Sequence, residues 1–258
     1  MSSLKIATWN VNSLRVRLPQ LAEWIATAQP DVIALQETKL PDADFPLEEV
    51  RALGYEVAYA GQRTYNGVAV LSRAPISVVA TDIPDFADEQ RRVLAVDTAG
   101  IRVIDLYVPN GQEPGSEKFA YKMHWLAALQ RWLTAQRSAA RRLVVLGDFN
   151  IAPEDRDVHD PAAWAGGVHV SPEERSALAA LLKLGFVDVF RRFEQPEKSY
   201  SWWDYRAGAF RRNNGLRIDL ILADLEFATA CTACHIDREP RRAERPSDHT
   251  PVIAEFNL

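Results

Sequence analysis

Residues able to do chemistry lie beside the apolar runs of this sequence, where strands are expected to begin or end. Six segments carry them, and the residues are Asn10 with Asn12, Glu37, Tyr107 with Asn110, Asp148 with Asn150, Asp219, and Asp248 with His249. Any one of these residues alone is commonly a turn residue, a cap or a packed side chain. Because strand ends and the loops beside them are where sites are assembled, six such segments together predict a single site.

These residue types suit the hydrolysis of a phosphate diester. Carboxylate and amide oxygens hold Mg²⁺ or Mn²⁺, which neutralises charge on the phosphate oxygens. A carboxylate or imidazole can orient and deprotonate water, while phenol, amide or imidazolium groups donate to the charge that develops. The sequence has no Ser or Cys in a nucleophile elbow, no Walker loop and no G-x-G-x-x-G, which argues against covalent hydrolases and nucleotide-binding folds.

The elements that must hold these residues follow from the periodicity of the apolar residues. Strand-like runs recur along the chain, at residues 4–9, 32–35, 68–71, 93–96, 103–108, 143–146, 218–222 and 252–256. Helical periodicity covers residues 14–28 and 118–136, and a capping box at Ser171 opens a third helix that runs through residue 184. Strands joined only by turns, as over residues 55–107, favour two packed sheets with helices outside over a doubly wound sheet. Since no linker is present, residues 1–258 are expected to form one domain.

Composition limits the class of protein. The chain has 258 residues, of which 47% are hydrophobic and 25% charged, as in ordinary globular proteins. No apolar run reaches the roughly 18 residues of a membrane helix, and no signal peptide precedes the first strand, so we expect a cytoplasmic protein. A net charge of -5 still allows clustered arginines to grip phosphates. Such pairs occur at Arg91-Arg92, Arg141-Arg142, Arg191-Arg192, Arg211-Arg212 and Arg241-Arg242.

Six motifs identify a family. They are Thr8-Trp9-Asn10-Val11-Asn12-Ser13-Leu14-Arg15, Leu35-Gln36-Glu37-Thr38-Lys39, Tyr65-Asn66-Gly67-Val68-Ala69, Leu146-Gly147-Asp148-Phe149-Asn150, Gly215-Leu216-Arg217-Ile218-Asp219 and Ser247-Asp248-His249-Thr250-Pro251-Val252. Together they resemble the exonuclease III and apurinic (AP) endonuclease family, in the family's order and over nearly the whole chain. The pieces around Asp148 and Asp248 alone would indicate only the endonuclease/exonuclease/phosphatase superfamily. Residues 91–93, 202–205 and 215–219 favour its DNA-repair branch.

The resemblance implies a four-layer α/β sandwich, in which two mixed sheets lie between helices and the site lies at one edge. It also implies a Mg²⁺- or Mn²⁺-dependent phosphodiesterase that acts on duplex DNA in base excision repair. The expected activities are those of a 3′–5′ exonuclease, a 3′-phosphatase or phosphodiesterase, and an AP endonuclease.

The resemblance also assigns roles to the site residues. One or two metal ions would be held by a principal carboxylate and its neighbours, namely Glu37 with Asn10, Asn12 and Asp248. Catalysis would use Tyr107, Asp148, Asn150, Asp219 and His249. Of these, Asp148 would activate the water, and His249, oriented by Asp219, would contact a phosphate oxygen. In the alternative arrangement, a second metal ion is held by Asp148, Asn150 and His249.

The expected DNA contacts lie in loops. Residues 199–214 mix aromatics with arginines, a composition suited to entering a groove and clamping phosphates, although a hairpin with an aromatic core face is the alternative. The resemblance places Trp202 at the pocket for a flipped or terminal sugar. Phosphate contacts are expected from Arg92, Asn110 and Arg211.

His169 is a further candidate, in the loop between the Asp148 strand and the capping box. In the resemblance this loop forms a wall near the sugar pocket. An imidazole there would obstruct an internal abasic nucleotide, which would favour 3′ ends as substrates with little AP endonuclease activity. The alternative is a solvent-facing loop histidine.

Cys231-Thr232-Ala233-Cys234-His235 matches the pattern of c-type haem attachment. Haem attachment needs export and zinc needs further spaced ligands, so we expect two buried thiols and no haem.

Two other readings compete with the nuclease: a small-molecule or lipid phosphoesterase on the same fold, and a nucleic-acid-binding regulator without catalysis. The complete set of Glu37, Asp148, Asp248 and His249 argues against a protein without catalysis. We expect a monomer, because no apolar surface stripe is left over.

Overall fold

The structure is a computed structural model that describes residues 3–140 and 142–258. Arg141, from one of the arginine pairs, lies outside the described residues. In these two ranges, no helix combines the length and the apolar character needed to cross a membrane.

Strands and helices, joined by loops, are spread over the described residues. The strands are β1 (Ser3–Asn10), β2 (Val32–Gln36), β3 (Glu56–Ala60), β4 (Val68–Ser72), β5 (Ser77–Ala80), β6 (Val93–Thr98), β7 (Ile101–Tyr107), β8 (Leu143–Asp148), β9 (Phe186–Asp188), β10 (Asp219–Asp224), β11 (Cys231–Ile236) and β12 (Val252–Asn257). The α-helices are α1 (Leu14–Ala28), α2 (Leu47–Ala52), α3 (Glu117–Ala139), α4 (Pro161–Trp164), α5 (Pro172–Lys183), α6 (Ala209–Arg212) and α7 (Leu225–Ala228). Short 3-10 helices span Asp42–Asp44, Asp155–Asp157, Val189–Arg192, Arg206–Gly208 and Glu239–Arg242.

The strands assemble into two mixed six-stranded sheets. The first sheet has the order β11-β12-β1-β2-β4-β3, and the second has the order β5-β6-β7-β8-β10-β9. Within these sheets β1 pairs with β2, and β7 with β8, in parallel, and the remaining pairs are antiparallel. The predicted two mixed sheets are confirmed.

The core lies in three apolar layers that alternate with the sheets and helices. In β2, Val32 and Ala34 face the second sheet, whereas Ile33 and Leu35 pack with α1 and α2. In β8, Val144 and Leu146 face the first sheet, whereas neighbouring residues pack against α3 and α5. This alternation follows from the two-residue period of a strand that is covered on both faces. The predicted four-layer α/β sandwich is therefore confirmed.

The eight strands predicted from the sequence are all present, each with bounds within two residues of the prediction. The strands that the prediction omitted are β3, β5, β9 and β11, which are the four edge strands of the two sheets. Edge strands are short and partly exposed, so they lack the continuous apolar runs on which the prediction relied.

The predicted helices are confirmed as α1, α3 and α5. The Ser171 hydroxyl accepts a hydrogen bond from the Glu174 backbone amide, and the Glu174 carboxylate accepts one from the Ser171 amide. This is the predicted capping box. Cys231 and Cys234 are free and buried in β11, as expected.

The topology brings several strand ends to one edge of the sandwich. Since β1 and β2 are parallel, their carboxyl ends lie at the same edge, and the same holds for β7 and β8. Gly147 permits the close approach of β8 to β7, because a side chain there would place its Cβ 2.0 Å from the Leu106 carbonyl oxygen. The polar segments that the sequence analysis singled out lie at this edge. Most follow a strand end, whereas Asp219 and Asp248-His249 lie where the antiparallel strands β10 and β12 begin.

Candidate active site

Strand register places the candidate residues of each sheet side by side. Asn10 ends β1 and pairs with the last residue of β2, so Glu37 follows at the same edge. In the second sheet, Asp148 at the end of β8 lies opposite both Tyr107 of β7 and Asp219 of β10. The candidate site is thus formed by two groups of residues, one from each sheet.

The Asn10 side chain joins the two groups. Its buried amide nitrogen donates to Glu37 Oε1 at 2.9 Å and to Asp148 Oδ2 at 3.0 Å. Burial raises the pKa of Asp148 to about 7, with nearby Asp219 and Glu37 adding to the rise and His249 and Asn10 opposing it. The raised pKa means that the Asp148 carboxylate binds a proton more readily than a solvated one, which is the property that a general base needs.

Three residues at this junction could hold a metal ion. Ligand atoms of Glu37, Asp148 and His249 all lie within 4.8 Å of one another. The two carboxylates fit a hard divalent cation, because a cation would relieve the repulsion that helps to raise the pKa of Asp148.

His249 is held by Asp219. Its Nδ1 lies 2.9 Å from Asp219 Oδ2 and 3.1 Å from Oδ1, and its Nε2 lies 3.7 Å from Asp148 Oδ2. Burial alone would lower the pKa of His249, but the carboxylates of Asp219 and Asp148 raise it to about 10. A protonated imidazole donates hydrogen bonds and has no free lone pair for a metal. His249 is therefore better suited to contact an anion than to ligate a metal ion.

The backbone at the site is held in unusual conformations. Residues with φ in the left-handed region include Asn12 at 44°, Glu37 at 52°, Asn150 at 50° and His169 at 73°. A residue other than glycine costs free energy in this region and persists where the surroundings hold it in place.

Asn12 and Asp248 lie together beside the metal-binding group. The two oxygens of Asp248 accept hydrogen bonds from Asn12 Nδ2 at 2.9 Å and from Trp202 Nε1 at 3.0 Å. Although burial raises the pKa of Asp248, His249 and these two donors lower it below its usual value. The predicted metal ligand Asp248 is thus an ionised carboxylate that orients Asn12 and Trp202.

Asn150 is fixed close to the predicted base. Its backbone amide donates to Asp148 Oδ1 at 2.9 Å, and its side chain donates to the Val108 carbonyl oxygen at 2.9 Å. Asn110 approaches the Asn150 side chain at 3.4 Å. Asn110 and Arg211, both predicted DNA contacts, are exposed to solvent.

Tyr107 and Arg92 form a pair. The Arg92 guanidinium lies 4.7 Å from the centre of the Tyr107 ring and donates to the Tyr107 carbonyl oxygen and to Gln90. Burial, and then the charges of the two metal-site carboxylates, raise the pKa of Tyr107 well above its usual value. Tyr107 is therefore a neutral phenol that donates a hydrogen bond. Arg92 is only 9% exposed, so little of it reaches solvent.

His169 belongs to an aromatic wall next to Trp202. Its ring centre lies 6.3 Å from that of Trp202 and 6.2 Å from that of Trp164, and its Nδ1 lies 2.7 Å from the Asn150 carbonyl oxygen. Burial, and then the Lys122 ammonium, lower the pKa of His169 to about 4. The solvent-facing alternative is wrong, because His169 is only 5% exposed. The sequence analysis did not single out Trp164.

Lys39 is a second residue that the sequence analysis passed over. Its ammonium lies 2.9 Å from Glu37 Oε2 and donates to Asn12 Oδ1. The signal was its position two residues after the predicted metal carboxylate.

Lys122 is a third residue that the sequence analysis passed over, and it forms a fully buried ion pair with Glu174. Lys122 lies three residues before Trp125 and seven before Leu129, on the apolar face of α3. A charge on an apolar helix face was the signal that could have found it.

Comparison with known proteins gives consistent results. A model of the endonuclease/exonuclease/phosphatase family matches residues 7–249. Exodeoxyribonuclease III of Haemophilus influenzae is 36% identical over an alignment that covers 98% of this chain and 100% of that protein. The exodeoxyribonuclease of Bacillus subtilis is 32% identical, with 99% of this chain and 100% of that protein covered.

Solved structures resemble the fold closely. A structure of the 3′ phosphatase NExo from Neisseria bound to a product DNA hairpin has a TM-score of 0.94 and 44% identity, and covers 99% of this chain and 100% of that chain. An AP endonuclease from Archaeoglobus fulgidus has a TM-score of 0.94 and 39% identity, with the same coverage.

Proposed function

Because this chain belongs to the endonuclease/exonuclease/phosphatase family, we propose that it is a metal-dependent DNA repair phosphodiesterase of the exodeoxyribonuclease III type. The observation that carries the proposal is the junction at which Asn10 links Glu37 to Asp148, with the Asp219–His249 pair alongside. We further propose that residues 1–258 form one catalytic domain and that it acts as a monomer, because the sequence leaves no apolar surface stripe over.

Mg²⁺ or Mn²⁺ is the proposed cofactor, held by Glu37 and Asp148 with the help of Asn10. When bound, this ion would neutralise negative charge on the phosphate and would stabilise the charge that develops on the attacking and leaving oxygens. In this proposal Asn12 and Asp248 do not bind the ion directly; they are hydrogen-bonded to each other beside it. We propose a single ion, because the carboxylates of Asp219 and Asp148 raise the pKa of His249 and so favour the imidazolium over a lone pair for a second ion.

The residues of the chain supply the remaining chemistry. The Asp148 carboxylate takes a proton from the attacking water, and the water oxygen forms the new bond to phosphorus. The bond to the leaving oxygen breaks, and that oxygen takes up a proton from solvent. The imidazolium of His249 donates to a non-bridging phosphate oxygen and is oriented by Asp219. Asn150 and the neutral phenol of Tyr107 complete the set of donors.

Blocked 3′ ends of duplex DNA are the preferred substrate that we propose. The imidazole of His169 packs against both Trp202 and Trp164, which also contact each other, and in this proposal the three rings form the wall that an internal abasic sugar would meet. His169 keeps this place at a φ of 73°, a backbone conformation that would favour glycine. The cost of that conformation supports a function for the ring. The proposed activities are therefore those of a 3′-phosphatase, 3′-phosphodiesterase and exonuclease.

The similar structures do not decide between blocked 3′ ends and internal abasic sites as the substrate. The structure at 44% identity is of a 3′ phosphatase, whereas the one at 39% identity is of an AP endonuclease. The proposal for 3′ ends therefore depends on the wall at His169. In the same proposal Trp202 lies against the terminal sugar, while Asn110, Arg211 and the exposed part of Arg92 contact phosphates.

A gel assay with Mg²⁺ tests the proposal. One duplex carries an internal abasic-site analogue, and a second carries a nick that ends in a 3′-phosphate. We expect EDTA-sensitive removal of the 3′-phosphate, weak incision at the abasic analogue, and neither reaction with the matched control variant Asp148→Asn. Efficient incision at the abasic analogue would overturn the preference for 3′ ends. Folded protein that leaves both duplexes unchanged would overturn the nuclease and favour a small-molecule phosphoesterase or a regulator that only binds.

A further inference from the structure

A buried ion pair lies behind the proposed site. Lys122 of α3 and Glu174 of α5 are both 0% exposed. Burial lowers the pKa of Lys122, and the charge of Glu174 opposes that fall. Because a buried pair can often be replaced by packed apolar side chains without loss of stability, stability alone does not explain why this one is present.

The Lys122 ammonium donates its three hydrogen bonds to three different segments. It donates to the Glu174 carboxylate, to the Asn110 carbonyl oxygen at 3.1 Å and to the Asn150 carbonyl oxygen at 2.7 Å. Asn110 follows β7 and Asn150 follows β8, so one charge fixes both loops. An ammonium has three donors, and all of them are used here.

The Glu174 carboxylate extends the same arrangement to a third loop. Its Oε1 accepts from the backbone amide of His169 at 3.0 Å, and its Oε2 accepts from the amide of Ser171 at 3.1 Å and from its hydroxyl at 2.6 Å. The carboxylate thus holds the backbone at a residue whose φ is strained. Hydrogen bonds to an ionised acceptor are about twice as strong as neutral ones.

We propose that Lys122 and Glu174 are positioning residues that hold Asn110, Asn150 and His169 in one fixed arrangement, and so set the selectivity for 3′ ends. This inference rests on the proposed function of the site. Neither residue touches the reacting atoms. They act by fixing three residues relative to one another: Asn110, a proposed phosphate contact; Asn150, the neighbour of the base Asp148; and His169, part of the aromatic wall.

The test is the double variant Lys122→Met/Glu174→Leu, which replaces the pair with apolar side chains of similar size. The matched control is Arg131→Met, which removes an exposed charge from the same helix. Hydrogen exchange of peptides covering residues 165–172 reports the amides that donate to Glu174. Steady-state rates on the nicked 3′-phosphate duplex and on the abasic duplex report selectivity, and a thermal melt reports stability.

We expect exchange in residues 165–172 to become about 10- to 100-fold faster in the double variant, because hydrogen bonds to a charged acceptor are lost. The ratio of kcat/KM for the 3′-phosphate over the abasic site should fall by about 10-fold, as the wall at His169 loosens. The melting temperature should fall in the double variant, because the buried backbone groups that the pair bonds lose their partners, whereas Arg131→Met should change none of the three measurements.

Several results would overturn the inference. Unchanged exchange in residues 165–172 would show that the pair does not hold the loop. Faster exchange with an unchanged ratio would show that the loop does not set selectivity. If the double variant fails to fold, the isosteric Glu174→Gln variant takes its place with the same readouts. If the wild type cuts neither duplex, the proposed function fails, while the exchange measurement still decides whether the pair positions the loop.

Discussion

Replacing His169 with glycine tests whether its imidazole closes the site to an internal abasic sugar. The substitution removes the ring that packs against Trp202 and Trp164. It leaves the backbone path unchanged, because a φ of 73° suits glycine better than histidine. The variant therefore opens the wall without requiring the loop to move.

The cost in stability can be worked from the contacts of His169. The lost hydrogen bond to the Asn150 carbonyl oxygen is worth about 1 kcal/mol. That oxygen still accepts from Lys122, so no buried acceptor is left without a partner. Loss of the packed ring adds about 2 kcal/mol, and relief of backbone strain returns about 1 kcal/mol. The net loss of about 2 kcal/mol should leave a folded enzyme.

The effect on activity should be selective. Removing a group that blocks a pocket is worth a factor of about 10 to 100 for the substrate that was excluded. Incision of a duplex with one internal abasic analogue should rise by that factor, while removal of a 3′-phosphate should change by less than about 3-fold. His169→Ala is the control, since it also opens the wall but keeps the backbone strain. Abasic incision that stays flat in both variants, or that falls in step with 3′-phosphate removal, would refute the reasoning.

Three further substitutions or treatments probe the rest of the molecule. Asp219→Asn should lower kcat by roughly 10²-fold near pH 8, because the carboxylates around His249 raise its pKa to about 10 and keep the donor protonated. Since that donor is present below the pKa and lost above it, the alkaline limb of the pH–rate profile should move to lower pH, and an unmoved limb would argue against the assignment. Glu37→Gln should raise the Mg²⁺ concentration for half-maximal rate by at least about 10-fold, because the site loses a ligand charge; an unchanged titration would remove Glu37 from the site. Both cysteines of the folded protein should resist a thiol reagent at pH 8 and react on unfolding, because burial raises the pKa of Cys231 to about 11; fast reaction before unfolding would contradict this.

The sequence predicted the central strands because each is buried on both faces. Residues 143–146, for example, are apolar without interruption, and the structure places them in β8 between the first sheet and α3. The site residues follow such strands directly, so finding the strand ends also located Asp148 and Glu37. Patterns of this kind depend on local burial, which the sequence carries.

The contacts of the aromatic wall and of the ion pair could not be predicted in the same way. His169 and Glu174 are five positions apart, in a short loop segment and a capped helix, and neither local pattern shows which distant element covers them. Their burial depends on α3, whose Lys122 lies 52 residues before Glu174. Only the folded chain shows that one ammonium serves both loops.

The distance between the two sheets likewise cannot be predicted from the pattern of apolar residues in the strands. The junction at Asn10 joins a residue after β2 to a residue of β8, so its geometry depends on how the sheets pack. Directly before Glu37, the side chain of Gln36 donates to Asp105 of the second sheet at 2.7 Å and to Thr8 of its own sheet at 2.9 Å. Burial raises the pKa of Asp105 well above its usual value, which favours a neutral carboxylic acid that can lie between the sheets without an uncompensated charge. A polar contact in the core, one residue away from Glu37, therefore ties the first sheet to the second beside the proposed metal site.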